Sequence, residues 1–199
     1  IDTDKFNLPK VSMTHSQQPL RLGIIARLTQ VKDHHNLLQA MATLKTLLTV
    51  GQMMPKLSII GDGPLDEQLR QQALALAITE HVEFLGARND IAECLAELDI
   101  FVLSSIAEGI PMTILEAMSA STPVIATAVG GVPEIISSEE QGFLVAKEEP
   151  LALAQAIKQY LDHPKLIPLH GAKARAKVLE QFSEQAMVAQ YLTFYQALS

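Results

Sequence analysis

Short apolar runs alternate with longer amphipathic segments through most of this 199-residue chain. The apolar runs are typical of buried strands and lie at 20–26, 57–60, 82–85, 100–103, 124–126 and 143–145. Apolar residues at three- and four-residue spacings predict helices between them, at 36–49, 65–78, 91–98 and 112–119. Strands and helices that alternate at such short intervals form right-handed βαβ units. The pattern therefore predicts one parallel sheet that is covered by helices on both faces.

The predicted fold class is α/β, a Rossmann-like domain with about six strands. Beyond Glu149 the pattern becomes wholly helical, with helices expected at 151–161, 166–182 and 184–198. We predict three segments: a linker and lead-in at 1–18, the Rossmann-like domain at 19–182, and a C-terminal helix at 183–199. The last helix carries apolar and aromatic residues, namely Met187, Tyr191, Phe194, Tyr195 and Leu198.

Composition argues against several classes of function. The chain is 48% hydrophobic and 19% charged, which is typical of a globular domain, and no apolar run approaches the ~20 residues of a membrane span. A net charge of −7 argues against binding to a nucleic-acid backbone, so no nucleic-acid partner is expected. The single cysteine, Cys94, cannot form an internal disulfide and is expected to be structural, on the apolar face of a helix.

Two glutamates, Glu108 and Glu116, flank the predicted start of one helix. Pro111 fits a first helical turn and disfavours a helical Ile110, so Glu108 is expected in the preceding loop and Glu116 on the helix. Gly109 allows a ligand to approach the backbone, and the free amides of the first turn attract anions. The arrangement favours a negatively charged ligand with hydroxyl groups. On spacing alone, ordinary stabilisation of a helix N-terminus by a carboxylate explains it equally well.

The segments around this pair occur in a specific order. Before it lies the apolar run 100–103, and after it come Thr122-Pro123-Val124-Ile125-Ala126-Thr127 and Gly130-Gly131-Val132-Pro133-Glu134. This order, with two glutamates separated by seven residues, resembles the retaining glycosyltransferases of family 4, which have the GT-B fold. The resemblance covers nearly the whole chain. It implies the C-terminal, donor-binding half of a GT-B enzyme.

The resemblance implies roles for individual residues in binding a nucleotide-diphosphate sugar. Arg27 and Lys32 would contact the diphosphate, Glu116 the ribose hydroxyls, and Glu108 the donor sugar, where it is also the candidate catalytic residue. The remaining expected donor contacts are Gly61, the backbone at Arg88 near the base, Gly109, and the amides of Ile110, Met112 and Thr113. The family usually has glycine where this chain has Ala26, a departure that we expect binding to tolerate.

Simpler explanations exist for several of these residues. Taken by themselves, Arg27 and Lys32 are better explained as charges on a solvated turn, and Asn89 or Asp90 as a cap of the following helix. The histidines, among them His34 and His170, have no ligand spacing, so surface or capping roles are expected and no metal site is predicted. The turn at 61–64 lacks the third glycine of a dinucleotide-binding motif, which disfavours nicotinamide chemistry.

We therefore expect a glycosyltransferase of hexosyltransferase type that acts with retention on a carbohydrate or glycolipid acceptor and needs no cofactor besides the donor substrate. The start of the chain resembles an interdomain linker, so the N-terminal acceptor domain is expected to be missing and the isolated chain to transfer little or no sugar. The last helix would cross to that domain, or else dock within this one. A cytoplasmic setting in polysaccharide biosynthesis is expected, including a peripheral position at the inner membrane surface.

Two other functions fit the same residues. One is a nucleotide-sugar epimerase of GT-B fold, which would share the nucleotide contacts. The other is a non-catalytic nucleotide-sugar-binding module, although Arg27, Lys32, Glu108 and Glu116 together argue against it.

Overall fold

A computed structural model describes residues 1–10 and 18–197. The six strands of its sheet are β1 (Arg21–Ile25), β2 (Lys56–Ile60), β3 (Val82–Gly86), β4 (Ile100–Leu103), β5 (Val124–Thr127) and β6 (Gly142–Val145). The helices are α1 (His34–Leu47), α2 (Asp66–Ala75), α3 (Ile91–Glu97), α4 (Met112–Ser119), α5 (Val132–Ile135), α6 (Pro150–Asp162), α7 (Leu166–Gln181) and α8 (Glu184–Ala197).

All neighbouring strands pair in parallel, in the order β3-β2-β1-β4-β5-β6. Strand β1 is central, and Leu22 lies opposite Leu57 of β2 on one side and Ile100 of β4 on the other. The strand order changes direction between β1 and β4. In open parallel sheets the crevice at such a point, outside the carboxyl ends of the strands, is where ligands bind. The predicted Rossmann-like sheet is confirmed, and its strand order locates this crevice.

Apolar strand residues form the core of the domain. Strands β4 and β5 are buried along their whole length, as expected of strands that are covered by helices on both faces. Cys94 is buried on α3 as a free thiol, which agrees with the predicted structural role. The lead-in also contributes, because Phe6 is buried in the core and Lys10 donates through Nζ to the carbonyl of Leu95 at 2.8 Å. Residues 11–17 of the predicted linker lie outside the described residues.

Several predicted helix boundaries were wrong for local reasons. Helix α1 begins two residues earlier than predicted because Asp33, with φ 45°, caps it and accepts a hydrogen bond from the amide of Asn36. Helix α2 ends at Ala75 instead of 78, since Ala77 adopts a left-handed φ of 53°. The short helix α5 was not predicted.

The face of α8 that carries Met187, Tyr191 and Tyr195 is exposed, and Val188 and Leu192 extend it. Both expectations for this helix, crossing to another domain or docking within this one, stay predictions. The side chain of Phe194 and residue Leu198 lie outside the described residues. Within the described ranges, no helix has the length and apolar content needed to cross a bilayer.

Candidate functional site

The loops that follow β1 and β4 meet at the crevice. Lys32 Nζ lies 2.6 Å from Glu108 Oε1, although the two residues are 76 positions apart in the chain. Ser104 Oγ, directly after β4, donates to the carbonyl oxygens of Lys32 at 3.0 Å and Asp33 at 2.9 Å. These bonds fix the β1–α1 loop against the end of β4. The structure thus brings together two of the predicted site residues.

Arg27 and Lys32, predicted as a pair, differ in environment. Lys32 is 25% exposed and ion-paired, so the solvated turn is the wrong explanation for it. Arg27 is exposed, and among the described residues its guanidinium has neither a hydrogen bond nor an ion pair. A side chain in that state is available to an anion at the crevice.

Glu108 is held by two donors at one oxygen. Its side chain is 9% exposed, and Oε1 accepts from Lys32 Nζ at 2.6 Å and from Ser105 Oγ at 2.5 Å. A carboxylate this buried is stable when a cation and hydrogen bonds compensate its desolvation. Ser105 was missed at the sequence level, because nothing in its local pattern distinguishes it from any other serine at a strand end.

Two glycines in the loop after β5 contact the backbone of Glu108 and Gly109. Gly130 has a φ of 53°, and a Cβ there would overlap the carbonyl oxygen of Glu108. The amide of Gly131 donates to the carbonyl of Gly109 at 3.0 Å. At position 130, only glycine allows the backbone to lie this close to the carbonyl of Glu108. The sequence identified the glycine pair through the resemblance but assigned it no structural role.

Helix α4 begins as predicted, directly after Pro111, with Glu108 in the preceding loop and Glu116 on the helix. The amides of Met112 and Thr113 belong to the first turn and have no acceptor within the helix. The side chains of Ile110 and Met112 are exposed, and a Cβ on Gly109 would have no neighbour within 4 Å. The start of the helix is therefore open to a ligand, as an anion site requires.

Glu116 is half-buried on α4. Within residues 1–10 and 18–197, its carboxylate has no hydrogen-bond or ion-pair partner. Burial raises the pKa of Glu116, and the nearby charge of Lys5 partly opposes this. A carboxylate that lacks donors in the protein is suited to accept hydrogen bonds from the hydroxyls of a ligand.

Gly61 and Arg88 follow β2 and β3 at the same edge of the sheet. Gly61 has a φ of 141°, and a Cβ there would overlap the carbonyl of Ala26, so this glycine is required by packing of the loop after β1. Arg88 donates through Nε to Asp90 Oδ1 at 2.7 Å. This pairing lowers the pKa of Asp90 to about 2. Asp90 occupies the N-cap position of α3 without a side-chain cap bond, so the predicted capping by Asp90 is wrong.

The expected surface roles are wrong for two histidines. His34 is fully buried, its ring nitrogens have no partner among the described residues, and burial lowers its pKa to about 4. His34 is the first residue of α1, and its side chain is buried there instead of exposed. His170 is buried on α7, where its Nδ1 lies 3.0 Å from the hydroxyl of Tyr160. The described residues contain no group of three His, Cys, Asp or Glu that could hold a metal ion.

An open depression of about 740 Å³ lies beside Glu108. The loops after β4, β5 and β6 form its wall, which includes Glu108, Gly130 and Lys147. Several apolar side chains, among them Ile106, Val129 and Leu144, also line it. Along the edge of the sheet, the predicted residues therefore run from Arg88 at β3 through Lys32 at β1 to Glu108 and this depression.

Comparison with known proteins identifies the family of this chain. The model of the family described as glycosyl transferases group 1 matches residues 10–185. The chain is 34% identical over 171 residues to N-acetyl-alpha-D-glucosaminyl L-malate synthase of Bacillus anthracis, which covers 86% of this chain and 44% of that protein. It is 30% identical over 190 residues to the putative colanic acid biosynthesis glycosyltransferase WcaL of Escherichia coli, at 90% and 46% coverage.

Solved structures show the same fold. Anabaena HepE in complex with UDP and glucose superposes with a TM-score of 0.83 at 24% identity, over 99% of this chain and 55% of that one. The C-terminal domain of the group 1 glycosyl transferase LpcC from Francisella tularensis superposes with a TM-score of 0.78 at 24% identity, over 92% of this chain and 99% of that domain. The chain spans about half the length of the relatives it matches in sequence.

Proposed function

This chain belongs to the group 1 glycosyltransferases, and on that premise we propose that it is the donor-binding domain of an enzyme that transfers a hexose from a nucleotide-diphosphate sugar, with retention. The observation that carries the proposal is the ion pair between Lys32 and Glu108, at 2.6 Å, in the crevice between β1 and β4. It combines a cation for a diphosphate with a carboxylate for a sugar at the place where such sheets bind ligands.

The diphosphate is assigned to the start of α4 and the loop after β1. Arg27 supplies a planar fork for phosphate oxygens, and Lys32 supplies a compact charge. The amides of Met112 and Thr113 add the N-terminal dipole of the helix. Together these groups stabilise the charge that develops on a departing nucleotide diphosphate, which is chemistry that needs no metal or further cofactor.

The nucleoside is assigned to the side of the crevice nearer β3. Glu116 accepts from the ribose hydroxyls, which would compensate the burial of its carboxylate. The guanidinium of Arg88 is committed to Asp90, so the base is expected to contact the backbone there and not this side chain. Gly61 keeps the intervening loop close to the strands.

The transferred sugar is assigned to Glu108 and the depression beside it. Gly109 and the amide of Ile110 lie in the same loop as Glu108, before α4. A transition state with oxocarbenium character gains from a nearby negative charge, so Glu108 is the candidate catalytic residue. Lys32 and Ser105 orient the carboxylate through Oε1, which favours such a role.

The acceptor, a carbohydrate or glycolipid, is assigned to a second domain, because the chain covers about half of its relatives and α8 exposes an apolar face. We propose that this domain precedes the chain and that α8 packs against it. The isolated chain would then bind donor and transfer little or no sugar. The enzyme would work in the cytoplasm, in polysaccharide biosynthesis, including a peripheral position at the inner membrane surface.

Calorimetric titration with uridine, guanosine, adenosine and cytidine diphosphates, without added metal, tests the donor site. We expect saturable binding of one nucleotide, weakened about tenfold or more by Arg27→Ala and by Glu116→Ala. Lys165→Ala is the matched control, because it removes an exposed lysine at the start of α7. If none of the four nucleotides binds, or if Lys165→Ala weakens binding as much as Arg27→Ala does, the proposed donor site is wrong.

A further inference from the structure

Ser105 lies between β4 and Glu108 and contacts both β5 and the glutamate. Its side chain is completely buried, and Oγ donates to Glu108 Oε1 at 2.5 Å. The carbonyl oxygen of Ser105 accepts from Thr127 Oγ1, also at 2.5 Å, and Thr127 is buried at the end of β5. The serine is therefore fixed by the neighbouring strand, and it in turn orients the glutamate.

The two oxygens of Glu108 are not equivalent. Oε1 accepts from both Lys32 and Ser105, whereas Oε2 accepts no hydrogen bond from any residue that the structure describes. An ionised carboxylate can only accept hydrogen bonds, so Oε2 requires a donor or a positive charge from outside the domain. Oε2 is the atom of Glu108 that remains for a ligand.

The two donors to Oε1 would respond differently to a bound donor substrate. Lys32 is partly exposed, and a diphosphate in the crevice would compete with Glu108 for its ammonium group. Ser105 Oγ is buried, and its hydrogen bond within the described ranges is to Glu108. When Lys32 turns to the diphosphate, Ser105 is the group that still restrains Oε1.

We infer that Ser105 is a positioning residue: it holds Oε1 of Glu108 so that Oε2 faces the sugar of the donor. The inference rests on the proposed function, because it assumes that the sugar lies at Glu108. It distinguishes Ser105 from Lys32, which serves the diphosphate as well as the glutamate.

The test is calorimetric titration of this chain with UDP and GDP, and with UDP-glucose, UDP-N-acetylglucosamine, UDP-galactose and GDP-mannose. For each nucleotide-diphosphate sugar that binds, its Kd is compared with that of its own diphosphate. In Ser105→Ala we expect the Kd of the sugar-bearing ligand to rise by roughly three- to tenfold while that of the diphosphate changes by less than about twofold. Lys32→Ala should raise both Kd values.

Two further variants separate orientation from folding. Ser119→Ala is the matched control, because Ser119 is another buried serine, on α4, and its Oγ bonds the carbonyl of Leu115 within that helix. It should change neither Kd. Ser105→Cys keeps a weak donor and should lie between wild type and Ser105→Ala, and it replaces that variant if thermal melting shows that Ser105→Ala does not fold.

The outcomes discriminate the two proposals. If wild type binds a diphosphate and the ratio of the two Kd values is the same in wild type, Ser105→Ala and Ser105→Cys, Ser105 does not position Glu108 and the inference is wrong, while the donor site stands. If wild type binds none of the uridine, guanosine, adenosine and cytidine diphosphates, the proposed function fails and the inference fails with it. If wild type binds a diphosphate but none of the sugar-bearing ligands, the sugar does not lie at Glu108 and the inference is wrong.

Discussion

Glu108 and Glu116 lie on either side of the start of α4, and their environments are opposite. Glu108, in the loop, has a cation and a hydroxyl at one oxygen and a backbone supported by Gly130. Glu116, on the helix, is half-buried without a partner among the described residues, and burial raises its pKa. The same side chain thus has two donors at one oxygen in one region, and in the other only the nearby charge of Lys5 opposes its burial.

The difference indicates which part of the site is organised before a ligand arrives. Orienting a group in advance removes an entropic cost from binding and from the reaction, which is useful for a carboxylate next to the reacting carbon. A carboxylate without donors instead destabilises the free domain slightly and gains most when hydroxyls reach it. The loop region is expected to be rigid without ligand, and the helix region to gain from ligand binding.

The largest effect is expected from Gly130→Ala, which disrupts the packing of Gly130 against the loop that carries Glu108. The added Cβ would overlap the carbonyl of Glu108, and φ 53° is unfavourable for alanine. We expect the free energy of unfolding to fall by about 4 kcal/mol and binding of the nucleotide-diphosphate sugar to weaken. Urea unfolding and calorimetry measure the two effects.

Gly86→Ala provides the matched control for that substitution. Gly86 has a comparable φ of 68°, but a Cβ there would have no neighbour within 4 Å. It should therefore cost only the backbone strain, about 1 kcal/mol. Equal losses in the two variants would show that the contact between Gly130 and Glu108 does not support the loop, and the restraint of Glu108 would then rest on Lys32 and Ser105 alone.

A smaller effect on stability is expected from acid, through the titration of His34, the buried first residue of α1. Burial lowers the pKa of His34 from 6.5 to about 4, so between these values the unfolded chain binds a proton that the folded domain does not. Stability should therefore fall as the pH decreases from 6.5 to 4, by about 3 kcal/mol from this group.

Urea unfolding of wild type and His34→Gln across that range measures the contribution. The variant should lose less stability than wild type on acidification, because glutamine does not titrate. His163→Gln, which removes an exposed histidine after α6, should follow wild type. If the free energy of unfolding of His34→Gln depends on pH as that of wild type does, His34 does not cause the loss of stability in acid.

The smallest effect on stability is expected from Glu116→Gln. Because burial raises the pKa of Glu116, the folded domain holds its proton more tightly than the unfolded chain, and stability decreases as pH rises through this titration. A neutral amide should therefore raise the free energy of unfolding slightly at pH 7, with no gain in acid, while nucleotide binding weakens.

Thermal melting at pH 7 and pH 4 checks that expectation, with Glu180→Gln on α7 as the exposed control. A loss of stability at pH 7 in Glu116→Gln, greater than in the control, would mean that Glu116 already has a stabilising partner. Both glutamates would then have stabilising partners within the domain.

Much of the fold was predictable because the signals are local. Apolar runs and helical periodicity identified all six strands and every α-helix except α5, and the fixed φ of Pro111 identified the start of α4. Prediction failed for His34 because its burial depends on how α1 packs in the domain, which the local pattern at the start of the helix does not contain.

The sequence by itself determined the α/β alternation, the position of Glu108 before a helix and of Glu116 on it, and the family that the chain resembles. Only the tertiary structure decided that β4 lies between β1 and β5. The β1–β4 adjacency creates the crevice and the bond between Lys32 and Glu108, and the β4–β5 adjacency brings Gly130 against the backbone of Glu108. Periodicity and backbone preference act within a few residues, whereas contacts between loops depend on which strands pair across the sheet. Ser105 combines both kinds of contact, because its bond to Glu108 spans three residues whereas the bond that it accepts from Thr127 depends on the pairing of β4 with β5.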